Sequence, residues 1–148
     1  MNEAILLLAW VAIIGGFNLW DYFVTHKGGK PNYLIYFLVR GAAAILHATA
    51  CLMVLEDQYY DYGSLSAWQL LAIWFPYLGF QVCSFWIIYE LVRNWWTDKP
   101  ALYFDTVEHD SGGIDKLFSK LGHTFHTFAK VLALAVAVLC VFLIYNRH

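Results

Sequence analysis

The chain has 148 residues, of which 61% are hydrophobic, 19% aromatic and only 14% charged, with a mean hydropathy of +0.55 and a net charge of −2. A soluble domain carries roughly a quarter charged residues, so the composition points to one small membrane domain, and it leaves no basic footprint for nucleic acid. Cys51, Cys83 and Cys140 each lie inside an apolar run, which argues against a disulfide framework or a zinc motif and reads them as packing residues.

The first predicted span covers residues 4–24. Its lead, Asn2 and Glu3, holds no Lys or Arg, and no small-residue cleavage pattern follows, so it reads as a retained span rather than a removable signal. Gly15 and Gly16 lie mid-span, where a neighbouring backbone can approach closely. Asn18 and Asp21, three apart, share a face near the far end. A Gly- and Pro-punctuated loop with Lys27 and Lys30 closes this part.

The second predicted span, residues 33–55, is interrupted by Arg40 and His47. An ionisable side chain is costly in hydrocarbon and normally faces protein or water. The two are seven apart and share a face, joined by the small Ala43 and Ala44, so that face should turn inward. An acidic, tyrosine-rich loop, Glu56 to Ser64, leads to the third span, residues 66–93. Ser66 and Gln69 have the spacing of a capping box, and Pro76 falls inside the helix it opens. Gln81 and Ser84 follow at mid-span, then Glu90 and Arg93, and Trp95 and Trp96 form an interfacial belt.

The longest polar segment runs from Thr97 to Gly113. From Ile114 the sequence predicts one helix to Tyr145. Its first part is amphipathic, with Ile114, Leu117, Leu121, Phe125 and Phe128 set against Lys116, Lys120, His123, Thr127 and Lys130. Its second half, Val131 to Tyr145, is uniformly apolar, and the fourth span covers residues 122–145. The expected fold is therefore all-α: four transmembrane helices in an antiparallel bundle, with an amphipathic cytoplasmic lead-in continuous with the last helix. Lys and Arg concentrate in loops 25–32 and 94–121, which places those loops in the cytoplasm and both termini outside.

Depth along the helices then groups the polar residues. At ~1.5 Å per residue, Asp21, Arg40, Glu90 and Asn18 all fall within ~5–10 Å of the cytoplasmic interface. The cheapest arrangement for Arg40 is a charge network with those carboxylates, acting as a clamp between helices. His47 and Gln81, ~18–21 Å from that interface, form an expected midplane polar pair. Gly15, Gly16, Gly41 and Ala44 are the expected helix-contact positions.

Haem ligation by two histidines requires a second imidazole at the depth of His47, and no other span supplies one. A single-ligand haem or pigment, with His47 as ligand and Arg40 on a propionate, is the remaining cofactor reading; the expectation is no cofactor. His109, His123 and His126 could form a surface metal site, but the spacing His-x-x-His also fits a polar helix face. No phosphate loop, nucleophile elbow or paired-cysteine motif marks an enzyme. Two functions remain in view. One is a non-enzymatic membrane protein acting by association, as accessory subunit, scaffold or homo-oligomer, with Thr97 to Lys130 offered to a cytoplasmic protein partner. The other is conductance or transport of an ion, proton or small solute along a polar path at Asp21, Arg40, Glu90 and His47.

Overall fold

The computed structural model describes residues 2–27, 33–57, 61, 63–96 and 122–146. Four helices account for nearly all of them: α1 (Asn2–His26), α2 (Tyr33–Glu56), α3 (Ala67–Trp96) and α4 (Gly122–Tyr145). All four are long and apolar enough to cross a membrane. Leu8, Leu34, Phe37, Leu46, Met53, Trp68, Phe128 and Val138 are each more than half exposed. A chain this apolar on its outside needs a bilayer or another protein to cover it. The amphipathic lead-in expected over 114–121 lies outside the described residues.

The start of α3 follows from its sequence. Ser66 Oγ accepts from the Gln69 backbone N–H at 3.4 Å, while Gln69 Oε1 accepts from the Ser66 backbone N–H at 2.9 Å. Two amide groups that the first helical turn leaves without partners are thereby satisfied reciprocally. Pro76 sits within α3, buried, without ending it.

α3 is the hub. It packs against α1, α2 and α4, and α1 also meets α2; among the described residues α4 makes close backbone approach to α3 alone. Two apolar clusters fill the space between α1, α2 and α3. One gathers Ala48, Cys51, Leu52, Ile73 and Tyr77. The other gathers Trp10, Ile14, Ala44 and Tyr89, and Leu78 packs against both. On α1 the inward residues Trp10, Ile14, Asn18 and Asp21 recur every three or four positions, as on one helical stripe.

The α3–α4 seam is built from small residues. Ala133, Ala137 and Cys140 are buried on α4, and Gly79 on α3 stands where any Cβ would lie 2.9 Å from Cys140 Sγ. A side chain at position 79 would therefore press on Cys140 across the seam. The glycines expected at such a contact are not at one: a Cβ added at Gly15, Gly16 or Gly41 would meet nothing within 4 Å. Of the expected contact positions, Ala44 alone is buried. The reason is rotational. Small residues permit close approach, but packing of Trp10, Ile14 and Ala44 decides which side of α1 and α2 faces in.

Gly79→Ala should therefore cost on the order of 1 kcal/mol through overpacking, and adding Cys140→Ala in the same chain should return most of it. Gly15→Ala and Gly16→Ala should be near neutral. Unfolding of the detergent-solubilised variants against denaturant measures all four.

Candidate functional site

Arg40 comes from the first half of α2 and points between α1 and α3. Its Nη2 donates to Asp21 Oδ2 at 2.7 Å, and the side chains are 26% and 22% exposed. Around the guanidinium carbon stand four ring faces: Tyr89 at 4.3 Å, Tyr36 at 5.0 Å, Phe85 at 5.6 Å and Phe17 at 5.8 Å to the centroids. Arg40 Nε is buried without a hydrogen-bond partner among the described residues. The positive charge is met by one carboxylate and by the negative faces of rings on three helices. Each such ring contributes about 0.5–2 kcal/mol, toward the upper value when water is excluded.

Glu90 and Asn18, expected in the same network, lie elsewhere. Glu90 pairs with Lys130 of α4 and accepts from Trp86 Nε1 at 2.7 Å. Asn18 turns its amide to the Ile14 carbonyl of its own helix, at 3.1 Å. Depth along a helix fixes the level of a side chain and leaves its direction open. Glu90 sits on the side of α3 that faces α4, eleven positions from Gly79 on the same seam.

Lys130 is a second correction. Its sequence position suggests the polar, outward face of an amphipathic stretch, yet its side chain is only 11% exposed, and Phe128 is 62% exposed. On a helix apolar enough to cross a membrane, the cation turns to a carboxylate on α3 and the phenyl ring turns out.

At mid-helix lies a second polar group. The Trp10 indole N–H donates to Ser84 Oγ at 3.0 Å, and the Trp10 ring lies 4.9 Å from that of His47. His47 Nε2 is 3.0 Å from the Leu6 carbonyl, and its Nδ1 is 3.5 Å from Cys51 Sγ. A carbonyl can only accept, so Nε2 carries the proton and Nδ1 presents its lone pair to the Cys51 thiol. Gln81 Nε2 in turn lies 3.7 Å from Cys51 Sγ. His47 and Gln81 are both buried, each reaches Cys51, and the two side chains also interact directly, as the polar pair expected.

A third polar contact closes the opposite end of the α2–α3 interface. Tyr77 OH donates to Glu56 Oε1 at 2.6 Å, and Glu56 is fully buried. The sequence assigns Glu56 to an exposed acidic loop. Its inward position is signalled by spacing: it stands four and eight residues beyond Leu52 and Ala48, on their face of α2.

Among the described residues no group of three or more His, Cys, Asp and Glu side chains gathers as a metal site. His109 and the side chains of His123 and His126 lie outside the described residues. Among the described residues, a cleft between α3 and α4 and a depression along α4 are lined by aliphatic and aromatic side chains, with Ser84 in the cleft.

Asp21→Asn leaves the guanidinium without its counter-ion and should cost about 2–3 kcal/mol, below the 3–5 kcal/mol of a fully buried pair because both groups keep some exposure. Arg40→Gln should cost a similar amount, and the double variant should be less destabilised than the sum. A double-mutant cycle on unfolding free energies measures that coupling. No protein-family model, curated protein or solved structure matches the chain.

Proposed function

We propose that the protein is a small non-enzymatic multi-pass membrane protein that acts by association, its four helices forming an antiparallel bundle. The reading rests on one observation: Arg40, Lys130 and Glu56 are each met by a partner on a neighbouring helix. Arg40 is held by Asp21 and four rings, Lys130 by Glu90, and Glu56 by Tyr77. Side chains committed in this way lock helices together; they are poorly placed to pass a charge along.

The helix order is supported by the paired numbers. Leu6 meets His47 while Asp21 meets Arg40, and Gly79 meets Cys140 while Glu90 meets Lys130, so numbering runs oppositely across both interfaces. Positive-inside bias places loops 25–32 and 94–121 in the cytoplasm and both termini outside. Residues 97–121 are then the cytoplasmic arm that meets a protein partner or a second copy. Glu90 and Lys130 anchor its two ends to one point of the bundle.

Purification from native membranes in mild detergent, with mass determination of the particle, tests this. The full chain should run as a homo-oligomer or with a stoichiometric partner, and replacing residues 98–118 by a Gly/Ser linker of equal length should reduce it to a monomer. A monomer in both cases overturns the proposal. So does pH-dependent flux in liposomes that Arg40→Ala abolishes while the bundle stays folded, since that result belongs to a conducting path.

A further inference from the structure

The group around Cys51 does more than tie helices together. His47 and Cys51 stand one turn apart on α2, both buried, with Nδ1 and Sγ 3.5 Å apart. The Leu6 carbonyl holds the far nitrogen of the ring, 3.0 Å away, so the lone pair of Nδ1 is aimed at the sulfur. Gln81, 2% exposed, reaches the same sulfur from α3, and its Oε1 is buried with no hydrogen-bond partner among the described residues.

We propose that His47, Cys51 and Gln81 form a site for a soft monovalent metal ion, Cu(I), between α1, α2 and α3. The ion takes the place of the thiol proton. The Cys51 S–H bond breaks, an S–Cu bond forms, the proton leaves to the medium, and Nδ1 donates its lone pair; no electron changes hands. The 3.5 Å between Nδ1 and Sγ is a separation that two donors to one ion would have, so neither side chain has to move far. The Leu6 carbonyl plays the outer part that fixes the tautomer of a metal-bound histidine. A half-turn of the Gln81 amide carries Oε1 to the place now held by Nε2, 3.7 Å from Sγ, where it can act as a third donor.

Charge selects the ion. A thiolate with Cu(I) is neutral, whereas a divalent ion on the same donors leaves a net positive charge in an apolar interior. Thiolate and imidazole are also the donors that suit Cu(I), and a closed site for a divalent zinc ion takes four protein ligands.

The test is anaerobic titration of the reduced protein, in nanodiscs, with Cu(I) buffered by a chromophoric chelator, followed by X-ray absorption of the loaded sample. The proposal expects one Cu(I) per chain with a first shell containing one sulfur and one imidazole nitrogen. Cys83→Ala/Cys140→Ala should bind with unchanged affinity, and Cys51→Ser should weaken binding about 100-fold or more. Failure to draw Cu(I) from the chelator overturns the proposal and leaves a hydrogen-bonded core cluster only. So does binding that survives Cys51→Ser or vanishes in Cys83→Ala/Cys140→Ala. If Cys51→Ser does not fold, the Cys83→Ala/Cys140→Ala variant decides, since Cys51 is then the only sulfur donor of its kind left.

Discussion

A guanidinium cannot give up its proton at any ordinary pH, so an arginine within an apolar helix must be neutralised where it stands or reach back to water. Arg40 is neutralised where it stands. The groups that do it come from three helices: Asp21 and Phe17 on α1, Tyr36 on its own helix, Phe85 and Tyr89 on α3. Apolar packing alone is a weak guide to helix rotation in a membrane, because lipid tails are as apolar as leucine. A charge with one counter-ion and a fixed set of ring faces is a strong guide. It allows one rotation of α2 relative to α1 and α3 and penalises the others.

The same logic recurs at lower strength across the bundle. Lys130 and Glu90 orient α4 on α3, at the end of a seam of small residues. Trp10 and Ser84 join α1 to α3, and Thr49 accepts from the Trp74 indole at 3.2 Å to join α2 to α3. Tyr77 and Glu56 do so again at the other end. α3 takes part in each of these contacts, and among the described residues it is the helix that approaches all the others closely.

Much of this was legible in the residues, and the failures have one cause. Four apolar runs of helix length announce four helices, and Ser66 with Gln69 announces where α3 begins. Rise per residue places Asp21 and Arg40 at a common depth, which the structure joins at 2.7 Å. What depth does not give is azimuth. Glu90 is level with Arg40 but faces α4; Lys130 looks like a solvent-facing lysine but is turned inward; Gly15, Gly16 and Gly41 look like contact glycines but have open space beside them, and Gly79 meets the neighbouring helix instead. Counting in threes and fours from Ala48 and Leu52 reaches Glu56, and counting from Cys140 through Ala137 and Ala133 reaches Lys130. The azimuthal signal is therefore in the sequence, carried by small buried residues rather than by the charges themselves.

The account stands on the surroundings of one side chain, and NMR of the protein in nanodiscs, with arginine side-chain nitrogens labelled, reads them directly. Arg40 should show a slowly exchanging Nε–H, side-chain protons shifted upfield by ring currents, and through-space contacts to Tyr89, Tyr36 and Phe85. A guanidinium in fast exchange with water, or one whose contacts are to lipid acyl chains, would contradict it.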